Sequence, residues 1–177
     1  MRAPVTAAAM PVGAGRASPL SRARLIAILV PNALLGGAIA FQYLGGLSPC
    51  QMCYWQRWPH LAAIVLALGA IGLRKRAGPS AMLTALAALA ILTSGLIGGF
   101  HAGVEYGWWQ GLTTCATGLA AGSGQSALDA IMGAPLVRCD VAAWSLFGIS
   151  MAGYNFLISA LASVGILTLI SRWKGEA

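Results

Sequence analysis

The run LIAILVPNALLGGAIAFQYL, residues 25–44, decides the fold class, because it holds twenty residues without one formal charge. A hydrocarbon core of roughly 30 Å is crossed by about 20 helical residues, so this run is long enough to span a bilayer. Pro31 and Asn32 sit inside it, and a membrane helix tolerates both when a kink and neighbouring groups satisfy the freed backbone and the amide. Three more long apolar runs follow, at 54–73, which carries Arg57 near its start, 81–103 and 147–170. The third is rich in Ala and Gly, which lets helices approach closely. Together they predict an all-α membrane protein, a four-transmembrane-helix bundle with a short first and a long second outer loop. Composition agrees. The 177 residues suit one domain and are 58% hydrophobic and only 8% charged, with a mean hydropathy of +0.77. Soluble domains carry about 25% charged residues, and the polar faces that buried helices of a soluble protein need are missing.

The formal charge of +7 does not mark a nucleic-acid surface. Arg2, Arg16, Arg22 and Arg24 precede the first run, Arg74, Lys75 and Arg76 separate the second from the third, and Arg172 and Lys174 follow the last. These cations flank spans and form no stripe interleaved with aromatics. With four spans, nine of the eleven basic residues share a side with both termini. The positive-inside rule makes that side cytoplasmic. Arg57, Arg138, Glu105, Asp129 and Asp140 fall on the other side. The expected organisation is a disordered cytoplasmic tail over 1–24, a transmembrane domain over 25–171 and a short cytoplasmic tail over 172–177. Residues 25–40 also have the look of a signal-peptide core ending in Ala-Ile-Ala, though both that core and the segment before it are long for one. The Arg- and Ala-rich start faintly resembles a transit peptide as well. No internal repeat is present. Residues around Gly118–Ser126 read as flexible loop, and Leu128–Met132 as a short interfacial helix.

All four cysteines fall on the outer side of this topology. Cys50 and Cys53 lie in LSPCQMCYWQRW, and Cys115 and Cys139 in the long second outer segment, 104–146. Thiols outside the cytoplasm are held oxidised, so two disulfides are expected, and inert staples are the plainest reading of the count. The C-x-x-C spacing argues for chemistry instead. Its ring is too small to add much stability, and it is a motif whose thiolate can be favoured. A helix continuing from it places Cys50, Cys53, Arg57 and His60 on one face. The helix N-terminus and the Arg57 cation would both favour a thiolate at Cys53. Arg57 falls at or just below the interface, where an ionisable group points to function, although it could also snorkel to the headgroups. His60 reads more simply as a packed or interfacial histidine. Trp55, Trp58, Trp108 and Trp109 suit a membrane interface. A bond between Cys115 and Cys139 would enclose 23 residues and stabilise the loop by roughly 3–4 kcal/mol. It would equally be open to a partner's thiol. Tyr54 after Cys53 excludes a haem-attachment motif. The wide spacing of the second pair does not suit a Cys₄ zinc site, so no metal is expected. No phosphate-binding loop or dinucleotide fingerprint is present.

Pro49-Cys50-Gln51-Met52-Cys53-Tyr54-Trp55-Gln56-Arg57 resembles the signature of the disulfide-bond formation protein B (DsbB) family. The resemblance extends from the first span over nearly the whole chain. FHAGVEYGWW and CDVAAWSLFGISMAGYN look like segments of alphaproteobacterial members. It implies a bacterial inner-membrane enzyme with its cysteines on the periplasmic face. Such an enzyme reoxidises a periplasmic thioredoxin-like dithiol oxidase of the DsbA type and passes the electrons to membrane quinone, ubiquinone in the first instance. Carried over by position, the resemblance implies that the partner's thiolate attacks a Cys115–Cys139 disulfide at Cys115. Cys50 then exchanges with Cys115, and Cys53 faces the quinone. Arg57 would hold the quinone and stabilise the Cys53 thiolate, with His60 close by, and Glu105 matches an acidic position near the end of the third span. In some members a histidine follows that acid. Here Tyr106 follows it and His101 lies a turn earlier, which leaves a histidine role in doubt. The energetics require a sink: such a partner has a potential near −120 mV, structural disulfides lie below about −300 mV, and 30 mV is about 1.4 kcal/mol. The rival readings are a membrane scaffold with two structural disulfides, and a related disulfide reductase or an oxidase for one dedicated partner.

Overall fold

The computed structural model describes residues 18–111 and 137–173. The stretches around Gly118–Ser126 and Leu128–Met132, and Cys115 itself, lie outside them. Four long helices run through the described chain: α1 (Pro19–Tyr43), α2 (Gln51–Gly72), α3 (Ala77–Glu105) and α4 (Met151–Ser171). A two-residue antiparallel ladder, β1 (Ser145–Leu146) with β2 (Ile149–Ser150), precedes α4. α1 and α3 each pack on both α2 and α4, while the diagonal pairs α1–α3 and above all α2–α4 scarcely meet, so the helices surround a common interior in chain order.

Local chemistry sets the helix ends. Ser18 caps α1, its hydroxyl accepting from the Ser21 N–H at 3.2 Å, and Pro19 fills the first turn, where no backbone N–H is needed. The helix therefore starts six residues before the apolar run. Residues 19–24, assigned from sequence to a disordered tail, are its first turns. Helix α1 continues through Pro31, and the Asn32 amide donates to the Ile28 carbonyl of its own helix at 2.7 Å. The fourth helix departs from the sequence reading at its start. Residues 147–150 are not its first turn, because Phe147 (φ 50°) and Gly148 (φ 77°) form a two-residue hairpin loop. Positive φ at both central positions is what a tight hairpin needs. Ser150 then caps α4, accepting from the Gly153 N–H at 3.1 Å.

Three helices, α1, α3 and α4, are long and apolar enough to cross a membrane. Helix α2 has the length, but its first three turns hold Gln51, Gln56, Arg57 and His60. The distribution of side chains is that of a protein in lipid. Large apolar groups face outward, Val65 at 63% and Leu161 at 75% exposure, while Ala63, Ala67, Ala87, Ala88, Ser94, Ser159 and Ser163 are buried between helices. Lipid offers no hydrophobic drive for association, so small residues and interhelical hydrogen bonds hold the helices together. Gly95 and Gly98 show why α3 and α4 pack so closely. A Cβ on Gly95 would stand 2.8 Å from the Ser159 Cβ, and one on Gly98 would stand 2.9 Å from the Ala152 carbonyl oxygen.

Candidate active site

Cys50 is the N-cap of α2, and its sulfur accepts from the Cys53 backbone N–H at 3.3 Å. The two sulfurs are 3.0 Å apart. Both cysteines precede the apolar run that begins at Tyr54, and the hydrogen bond between them divides their acidities. The bond to Cys50 holds Cys53 below the usual thiol range, while the same bond, together with burial, pushes Cys50 up to about 12. Of the two, Cys53 is the sulfur at which the thiolate is favoured.

Residues 137–150 fold back over these sulfurs. Cys139 is buried and packs in one cluster with Cys50, Met52 and Val104, against Cys53, Phe100 and Val137. Aromatic contacts fix the segment: Trp144 lies 5.1 Å from the Phe41 ring of α1 and 6.1 Å from the Tyr154 ring of α4. The Tyr106 hydroxyl donates to the Gly148 carbonyl and accepts from the Ser150 N–H, and the Tyr154 hydroxyl donates to the Leu146 carbonyl. Arg138 forms a two-pronged exposed pair with Asp140, at 2.9 and 2.6 Å, which lowers the Asp140 pKa.

Beside the sulfurs lies a cavity of about 650 Å³. Cys50, Cys53, Arg57, His60, His101 and Glu105 all border it, among mainly apolar residues of α1 and the outer segment such as Leu34, Phe41, Leu47 and Val141. The C-x-x-C motif, Arg57 and His60 thus open on one space. Arg57 is oriented differently from the sequence expectation. Its Nη atoms donate to Gln42 Oε1 at 2.6 Å and the Ala38 carbonyl at 3.3 Å on α1, and its guanidinium lies over the Tyr54 ring at 5.1 Å. None of these bonds goes to Cys53, whose acidity follows from Cys50 instead. The buried Arg57 Nε remains without a partner. His60 donates through Nε2 to Asn155 Oδ1 at 2.9 Å, and its Nδ1 is also unpartnered. Of Glu105, Oε1 lies 3.6 Å from His101 Nε2 while Oε2 is buried without a partner.

Three residues belong to the site although the sequence reading gave them no role there: His101, Gln56 and Asn155. His101 Nε2 is 3.6 Å from the Cys50 sulfur, and its Nδ1 is 2.9 Å from Gln56 Nε2. Asn155 Nδ2 donates to Gln56 Oε1 at 2.8 Å and to the Ser94 carbonyl at 3.2 Å, and the Ser94 hydroxyl donates to the Gln56 carbonyl at 2.7 Å. The four-residue spacing of His101 and Glu105 on one helix was the available signal for the first. Asn155, the polar group in the opening turns of α4, was the signal for the last. The Cys50, Cys53 and His101 ligand atoms also fall within 4.8 Å of one another, a spacing a thiophilic ion could bridge.

A helical protein with membrane-crossing helices, carrying a thiol pair at a helix start beneath a third cysteine, is a membrane protein of thiol–disulfide chemistry. The sequence profile described as Disulfide bond formation protein DsbB matches residues 21–169. The chain belongs to this family of membrane proteins of disulfide bond formation. It is 32% identical over 151 residues to a Disulfide bond formation protein B of Verminephrobacter eiseniae, covering 79% of this chain and 80% of the relative. It is 31% identical over 152 residues to one of Aromatoleum aromaticum, covering 80% and 87%. An uncharacterised protein of Rickettsia prowazekii is 27% identical over 138 residues, covering 76% and 78%. No solved structure matches the chain.

Proposed function

We propose that the chain is a bacterial inner-membrane thiol:quinone oxidoreductase, which reoxidises a periplasmic DsbA-like dithiol and delivers the electrons to quinone. The observation that carries this reading is the apolar cavity that Cys53 shares with two unpartnered buried polar atoms, Arg57 Nε and His60 Nδ1. A quinone fits these groups. An N–H without an acceptor suits a carbonyl oxygen, a bare ring nitrogen suits the hydroxyl of the reduced form, and about 650 Å³ is ordinary for a small-molecule site. When bound there, quinone supplies a sink for two electrons and two protons.

The chain's residues perform the rest. Cys139 packs on Cys50, so a disulfide at Cys139 stands within reach of exchange with the C-x-x-C pair. In each exchange a thiolate bonds to one sulfur of a disulfide, and the other sulfur leaves as thiolate. Once both C-x-x-C sulfurs are reduced, closing the Cys50–Cys53 bond releases two electrons and two protons. Cys53, the more acidic sulfur, borders the cavity and is the exit. By this reading the part of α2 from Tyr54 onward is a fourth span. The Arg74–Arg76 turn, at the opposite end of α2 from the cysteines, faces the cytoplasm with both termini, and the cysteines face the periplasm.

The test supplies purified protein with a reduced thioredoxin-fold dithiol and follows ubiquinone absorbance. Reduction of the quinone supports the reading. Intact disulfides with no reduction would favour the structural scaffold. Within this assay, Arg57→Ala is expected to raise the quinone KM roughly tenfold, the loss of about 1.4 kcal/mol for one hydrogen bond from a charged donor. An unchanged KM would remove Arg57 from the quinone site.

A further inference from the structure

The hydrogen bonds around His101 fix more than its position. Main-chain carbonyls can only accept, so the Met52 carbonyl, 3.1 Å from Gln56 Nε2, and the Ser94 carbonyl, 3.2 Å from Asn155 Nδ2, set the orientation of both amides. Gln56 Oε1 then receives the Asn155 N–H, and the second hydrogen of Gln56 Nε2 points at His101 Nδ1, 2.9 Å away. A ring nitrogen that receives a hydrogen bond carries no hydrogen, so neutral His101 holds its proton on Nε2. That N–H faces the Cys50 sulfur at 3.6 Å, with Glu105 Oε1 also 3.6 Å away as a charged neighbour and a backbone group of Cys139 in hydrogen-bond contact with the ring.

We propose that His101 is a catalytic residue. In the tautomer set by Gln56, it donates its Nε2 hydrogen to the Cys50 sulfur whenever that sulfur carries negative charge, and turns it to the neighbouring Cys139 backbone and Glu105 when it does not. The need for such a donor follows from the surroundings of Cys50. The titratable groups facing it are Cys53 of α2, His101 and Glu105 of α3, and Cys139 of the outer segment, while Arg57 and Arg138 border the same cavity. Arg57 donates to Gln42 and Ala38 of α1, Arg138 pairs with Asp140, and Glu105 is an acceptor. Among the described residues, the side-chain donors within hydrogen-bond reach of a Cys50 thiolate are the Cys53 thiol, which is itself spent in the disulfide chemistry, and the imidazole. In a thiol–disulfide exchange the S–S bond formed by Cys50 replaces the one broken, the leaving sulfur takes the electron pair, and no net redox change occurs. His101 lowers the cost of the charge on Cys50 at the start of such a step, or at its end when Cys50 is the leaving sulfur. Neutral imidazole acting through a fixed N–H is an established means of stabilising developing negative charge.

This inference rests on Cys50 being a redox sulfur, but its test needs neither quinone nor partner, so the two readings can fail separately. The full chain, with Cys53, Cys115 and Cys139 replaced by serine, leaves Cys50 as the sole thiol, and its alkylation rate by iodoacetamide is followed against pH. His101→Ala is expected to slow alkylation about tenfold at neutral pH by moving the midpoint up about one unit. His101→Gln, which retains an N–H, is expected to restore part of the rate. Gln56→Glu provides an opposite sign. A carboxylate facing Nδ1 favours a hydrogen there, making the ring a cation beside Cys50, and alkylation should speed up. An unchanged rate in folded His101→Ala, or a shift of the same sign in Gln56→Glu, would overturn the proposal.

Discussion

Cys53→Ser is expected to stop quinone reduction altogether, while the Cys115–Cys139 pair still accepts one round of exchange from a reduced dithiol. The reason lies in the division of labour within the C-x-x-C pair. Cys50 is buried and pushed up to about 12, and Cys53 is the sulfur held low in pKa at the cavity edge. Serine keeps the size and the cap but cannot form a disulfide or carry electrons, so the fold should persist while the exit closes. The loss should exceed a thousandfold, since one thiol cannot close the bond that releases the electron pair. The check is a pair of measurements on the same sample: ubiquinone absorbance, and thiol counting after one equivalent of dithiol. Sustained quinone reduction in the variant would show that electrons leave elsewhere.

The second large effect falls on the buried polar chain. Asn155→Leu keeps the branched outline, though it is bulkier, but removes the acceptor of His60 Nε2 and of the Ser159 hydroxyl, and the donor to Gln56 Oε1 and Ser94. Each buried group left unsatisfied costs about 1–3 kcal/mol in water-soluble proteins. Interhelical bonds in membranes average about 0.6 kcal/mol, because the unfolded helices also find partners. The expected total lies between these scales, at about 2–4 kcal/mol, read as a lowered midpoint in detergent unfolding. Gln56 would also lose the bond that fixes its amide, so activity should fall beyond the loss of folded protein. A variant with wild-type midpoint and rate would show that the chain is incidental to both stability and chemistry.

Much of this architecture was legible from residues alone. Apolar run length located the helices to within a few residues, because lipid thickness dictates length. The C-x-x-C spacing, with Arg57 and His60 continuing at helical intervals, placed four side chains on one cavity. The errors arose where local chemistry overrides hydropathy. Ser18 and Pro19 start α1 before its apolar run, and Phe147–Gly148 make a hairpin of residues that look like the start of a span. The orientation of Arg57 was not legible, since its partners Gln42 and Ala38 lie on another helix. The role of Gln56 and Asn155 depends on contacts across 99 residues of chain, which no periodicity reveals.

The central claim is that quinone occupies the cavity between Cys53, Arg57 and α1. Photolabelling with an azido-ubiquinone, followed by mass spectrometry of the digested protein, tests it directly. The account predicts label on residues 33–42 of α1 and on 53–60 of α2, competed away by excess ubiquinone and weakened in Arg57→Ala. Label confined to lipid-facing positions such as Leu86, Leu161 and Val164, unaffected by competitor, would contradict it.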